Sequence, residues 1–136
     1  MAQFKWGLLC RRVIVDLESN LISYIDAVEA FGSQTFPFPC PPIFVGTAWE
    51  RDGKEAGIEL RAIVYSPNGQ QINVTEASPL VFGEHHLRGR VNLLLYGFAV
   101  PEPGTYKISL EHKVGSEWQR VHILSMNIGQ LPREAA

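Results

Sequence analysis

Apolar residues recur at every second position along this chain, or in short unbroken runs, between clusters of Gly, Pro, Asn and Ser. Alternate side chains of a strand point to opposite faces, so this period predicts strands with one face on a core. Eight are expected, over residues 7–16, 21–31, 43–50, 58–65, 70–75, 91–100, 104–114 and 118–128. Only 21–31 also carries a weak helical period, through Ile22, Ile25, Val28 and Glu29; a strand is preferred there.

Turn chemistry separates the strands. In Ser66-Pro67-Asn68-Gly69 the fixed φ of proline suits the second place and glycine supplies positive φ at the end. Asp52-Gly53 suits a tight hairpin, Pro101-Glu102-Pro103-Gly104 stops any strand from running through, and Gly115-Ser116 closes the last hairpin. Residues 36–42 hold four of the nine prolines, a composition that predicts an extended crossover outside any ladder. Regular strands, one Pro-rich crossover and no helical layer predict an all-β fold, an antiparallel two-sheet β-sandwich of about eight strands in a single domain. A closed barrel is the alternative.

Three registers follow. A hairpin at Asp52-Gly53 would set Val45 near Leu60 on one core face, with Thr47 beside Ile58 and Ile43 beside Ala62. Strict alternation would turn Tyr106, Ile108 and Leu110 inward and Lys107, Ser109 and Glu111 outward. A first hairpin closing around Glu18 and Ser19 would set Val15 opposite Ile22, Val13 opposite Tyr24 and Arg12 opposite Ile25. It would also set Arg11 opposite Asp26, and an arginine on the core face needs a partner, so an Arg11–Asp26 ion pair is expected.

The run Leu8-Leu9-Cys10, an acidic turn, a strand ending near Phe31, a Pro-rich stretch and Tyr65-Ser66-Pro67-Asn68-Gly69 together resemble a bacterial family of small proteins of unknown function. Pro103-Gly104-Thr105-Tyr106 and the final hairpin are similar to that family too, and to the last strands of immunoglobulin-like sandwiches. The resemblance covers nearly the whole chain and implies a fold; it transfers no catalytic residue.

Composition adds exclusions. Twelve basic against fourteen acidic residues in 136 give a net charge of −2, so no field gathers nucleic acid or an anionic membrane. No apolar run approaches the roughly 20 residues of a membrane helix. The segment ending at Cys10 has too short an apolar region, and too bulky a Leu9, for a lipoprotein leader, so a cytoplasmic protein with Cys10 and Cys40 as free thiols is expected. Asn73-Val74-Thr75 then matches a glycosylation acceptor that is never used.

The candidate chemistry is sparse. Glu84, His85 and His86 offer metal ligands in a Gly-flanked polar loop, with His112 and His122 on the last hairpin, but no familiar ligand spacing is matched. Asp16, Glu18, Asp26 and Glu29 cluster on the first hairpin, where a calcium site competes with the simpler reading of a solubilising turn. Cys10 lies in an apolar strand and Cys40 between two prolines, neither beside a base, and there is no Gly-flanked serine nucleophile or phosphate loop. Trp6, Trp49 and Trp118 would form a ligand platform if at least two shared one exposed face; otherwise they cap the core. Arg88 and Arg90 read as a solubilising edge. With no recognisable active site or cofactor motif, the expectation is a non-catalytic module that binds a protein partner or forms a homo-oligomer. A small-ligand or carbohydrate-binding domain is the alternative, ahead of a metal-dependent enzyme using His85 and His86.

Overall fold

The computed structural model describes residues 2–51, 53, 57–83 and 85–132. Among them the chain is all-β, with strands β1 (Gln3–Val15), β2 (Ile22–Ala27), β3 (Ala30–Ser33), β4 (Phe38–Pro39), β5 (Ile43–Glu50), β6 (Gly57–Tyr65), β7 (Gln71–Val74), β8 (Ser78–Val81), β9 (Arg88–Leu95), β10 (Ala99–Val100), β11 (Gly104–Val114) and β12 (Glu117–Gln130). One sheet has the order β2-β1-β5-β9, a second runs β3-β12-β11-β6-β7 with β8 also on β6, and β4 and β10 form a small third ladder. No helix among the described residues is long and apolar enough to cross a membrane.

Among the described residues twelve strands replace the expected eight, because two long apolar runs are broken and two short strands, β4 and β8, lie outside the expected ranges. Residues 21–31 divide into β2 and β3, which belong to different sheets, with Asp26 at φ 58° near the break. Residues 91–100 divide into β9 and β10 around Gly97, at φ 74°. β3 pairs with β12 in parallel, so the second sheet is not wholly antiparallel. The Pro-rich segment does enter a ladder: Phe38 and Pro39 pair with Val100 and Ala99, and the Cys40 amide donates to the Phe98 carbonyl. Proline lacks only the donor; its carbonyl and its neighbours' groups can still pair at an edge.

The register at β5 and β6 also differs from expectation. β5 pairs with β1 and β9, whereas β6 pairs with β11, β7 and β8, so the chain changes sheets between them. Asp52 lies outside the described residues. Val45 and Leu60 are both buried, but they enter the core from different sheets. Alternation names the buried face of a strand; it does not name the strand alongside.

Buried residues of both larger sheets belong to one core, with Leu9, Val45, Trp49 and Leu93 from the first and Leu60, Ile108, Leu110 and Met126 from the second. Inside it, Thr47 donates to the Val91 carbonyl at 2.8 Å and accepts from Trp49 Nε1 at 2.9 Å, so neither polar group is buried unpaired. Tyr106, Ile108 and Leu110 are buried and Lys107 is exposed, as alternation requires. Ser109 and Glu111 are less exposed than expected of that outer face: Ser109 is buried against Arg120, whose Nε donates to its Oγ at 2.8 Å, and the Glu111 side chain, paired with Arg61, is largely covered.

Candidate functional site

The first hairpin runs past the sheet that carries it. β5 accompanies β1 only as far as Cys10, which faces Phe44, and beyond that point β1 has β2 as its one ladder neighbour among the described residues. The register is Arg12 to Ile25, Val13 to Tyr24, Ile14 to Ser23 and Val15 to Ile22, as the turn at Glu18 and Ser19 predicts. Asp16 closes that turn. Its Oδ1 accepts from the amides of Glu18 at 2.8 Å and Ser19 at 3.0 Å, which holds its carboxyl below the usual carboxylate range. Its own amide donates to the Leu21 carbonyl.

The result is a two-stranded arm with aliphatic side chains in water. Ile14 and Val15 are about half exposed, Leu21 is 69% exposed and Leu17 is fully exposed. The charges on the arm are ordered, with Arg11 and Arg12 at its base and Asp16 and Glu18 at its tip, all exposed. The sequence pattern marks Asp16 and Glu18 as a solubilising turn but does not single out Leu17 and Leu21. Two leucines among the six residues that join β1 to β2 are the available signal, since nothing in a turn obliges them to be apolar.

The expected Arg11–Asp26 ion pair does not form. The ladder passes from Cys10–Ala27 to Arg12–Ile25 without an Arg11–Asp26 pair, and Asp26 takes the left-handed region instead. Both side chains are exposed, so no buried charge demanded a mate. They lie on the rim of a cleft of about 510 Å³ at the arm's base, which is otherwise lined by Val28, Phe31, Phe38 and Ile43 among others.

The tryptophans do not share a surface. Trp49 is buried between Phe4, in edge contact at 5.4 Å, and the stacked His112 ring at 5.8 Å. Trp6 lies on the outer face of the first sheet, edge-on to Tyr24 at 5.5 Å with the Arg90 guanidinium 5.3 Å from its centroid. Trp118 lies on the outer face of the second sheet, with Arg61 stacked 4.3 Å from its centroid. Arg90 is thus partly committed to Trp6, while Arg88 approaches Glu50 at 3.9 Å.

His85 and His86 are exposed in a turn where the His86 amide donates to the Gly83 carbonyl, and Glu84 lies outside the described residues. No group of three or more His, Cys, Asp or Glu converges among the described residues. His112 is buried with Nδ1 lacking a hydrogen-bond partner among the described residues, and burial lowers its pKa. Cys10 and Cys40 are free thiols; burial raises both, Cys40 to about 11. Neither is poised as a nucleophile. No protein-family model matches the chain, and no curated protein is significantly similar to it.

Proposed function

We propose that the chain is an immunoglobulin-like β-sandwich module of the cytoplasm, without catalytic function, that acts by self-association through the β1–β2 arm. The fold part of this reading is supported by Tyr106, whose hydroxyl donates to the Glu102 carbonyl at 2.6 Å. A tyrosine tied back to the turn before its own strand is the corner device of immunoglobulin-like sandwiches. The resemblance to a bacterial family of small proteins belongs to the same proposal.

The observation that carries the functional part is the order of side chains along the arm. A two-stranded ribbon is marginally stable in water on its own, and this one leaves Ile14, Val15, Leu17 and Leu21 exposed. A second copy supplies what it lacks. Two arms laid antiparallel about a twofold axis near Ile14 place the tip of each against the base of the other. Arg12 then meets the partner arm's acidic tip, Leu17 falls beside the partner's cleft rim at Arg11, and Ile14 packs on itself across the axis. An isologous contact makes every such pairing twice, and opposite charges across neighbouring strands favour it.

Mass measurement in solution across a concentration series tests this. The wild type should reach the mass of two chains, whereas Arg12→Glu and Glu18→Lys alone should be monomeric. An equimolar mixture of the two variants should recover the dimer, because one contact is charge-reversed and the other native. A wild type that stays monomeric at every concentration, or single variants that dimerise like it, would overturn the proposal.

A further inference from the structure

The outer face of the second sheet carries a cleft that the arm does not touch. It has a volume of about 350 Å³, and its lining includes Ser66, Pro67, Lys107, Ser109, Arg120 and Ile123. Two residues of the whole lining are cationic and none is acidic, on a chain whose net charge is −2. We propose that this cleft binds the phosphate group of a small phosphorylated metabolite.

The charges are uncommitted. Arg120 stands across the ladder from Glu111, the natural acidic mate. Glu111 is already held by Arg61, whose Nε and Nη2 lie 2.8 and 2.7 Å from Oε1. Arg120 instead donates to Ser109, its only hydrogen-bond partner among the described residues, and Lys107 has neither a hydrogen bond nor an ion pair among them. Ser109 completes the constellation. It is 1% exposed, and while its Oγ accepts from Arg120, its own hydrogen has no acceptor among the described residues. A tetrahedral dianion would take that donor together with the guanidinium and the ammonium.

The walls are set in advance. Ser66 accepts the Gly69 amide at its carbonyl and the Gln70 amide at its hydroxyl, and that hydroxyl also bonds Asn68 Oδ1, so the turn is fixed. Pro67 of this turn presses on Gly104, where a Cβ would stand 2.6 Å from its ring. The volume is near the lower end of small-molecule sites, which span roughly 300–1,000 Å³. It suits a phosphate with a compact organic group lying against Pro67 and the part-exposed Ile123.

Calorimetric titration and thermal unfolding with inorganic phosphate and with ribose 5-phosphate, against sodium chloride at matched ionic strength, test the proposal. Both phosphates should bind and raise the melting temperature where chloride does not, ribose 5-phosphate the more tightly because its sugar covers apolar wall. Lys107→Gln and Arg120→Gln should each weaken binding about tenfold, the effect of losing one charge-assisted hydrogen bond. Ser109→Ala should weaken it less, and Lys113→Gln, on the same strand but near Glu59, should leave it unchanged. Equal responses to phosphate and chloride, or Lys107→Gln and Arg120→Gln variants that bind like the wild type, would overturn the site. Ribose 5-phosphate binding no more tightly than inorganic phosphate would overturn the assignment to a metabolite.

Discussion

The Tyr24 ring lies directly over Gly46, so close that a Cβ at Gly46 would stand 2.5 Å from its Cε1. Tyr24 belongs to β2 and Gly46 to β5, with β1 between them, so the ring reaches across a strand and donates from its hydroxyl to Asn92 Oδ1 of β9 at 3.1 Å. One side chain therefore ties the arm to the far edge of its sheet, and the absence of a side chain at 46 is what lets it lie flat.

Gly46→Ala should push this ring off the sheet and destabilise the protein by about 1–3 kcal/mol, the usual cost of overpacking. Urea unfolding of the single variants and of Gly46→Ala/Tyr24→Ala would show it. Once the ring is gone the alanine has nothing to strike, so the second substitution should cost less on the Gly46→Ala background than on the wild type. Additive losses would mean that the contact is not the cause.

His112 makes stability fall on acidification. Burial lowers its native pKa from the ordinary 6.5, so the unfolded chain binds the proton more readily than the native one. Stability from this group is complete above pH ~6.5 and declines as pH drops from there toward the lower native value. His112→Phe keeps a ring against Trp49 and removes the titration. Urea midpoints at pH 7.5 and 5.5 should therefore lie closer together in the variant than in the wild type, and an unchanged difference would acquit His112.

Both thiols should be silent in the native state. With Cys40 pushed up to about 11 and Cys10 raised as well, each is protonated at pH 8 and buried. Iodoacetamide should modify neither in the folded protein and both in urea, read as mass added per chain. Rapid native labelling at either position would contradict the placement of that cysteine.

The strands most legible in sequence were those whose alternation meets a single core. The expected bounds of β5 and β11 match the structure, and the turn at Glu18 and Ser19 correctly fixed the register of Val13 and Val15. Pairing across sequence distance was not legible, because period two is the same whichever strand lies alongside. Asp26 shows a second limit: aspartate tolerates the left-handed region, but nothing in 21–31 marks where that freedom is used. β4 and β8 each contain a proline and are only two and four residues long, too short for a pattern to register. The arm failed to show for a different reason. Apolar residues are read as core, and Ile14, Val15, Leu17 and Leu21 look the same whether a core covers them or water does. Arg120 was invisible as a neighbour of Ser109, because the register of β11 and β12 shifts between Leu110 and Glu111.

Arg61 holds the outer face of the second sheet through two different contacts. Its guanidinium meets Glu111 Oε1 through both Nε and Nη2, and its flat face stacks 4.3 Å from the Trp118 centroid. Lysine can satisfy neither geometry in full, since an ammonium is a point charge without a plane to lie on an indole. Arg61→Lys should therefore cost about 1 kcal/mol, the sum of a partly shielded ion pair and a surface cation–π contact. The two contributions separate experimentally. Glu111→Gln removes the charge and leaves the stack, so Trp118 emission should stay near the wild type. Trp118→Leu removes the stack and leaves the ion pair, so a residual dependence of stability on salt should persist. If Arg61→Lys shifts neither the unfolding midpoint nor the fluorescence, the guanidinium is a passenger on this face.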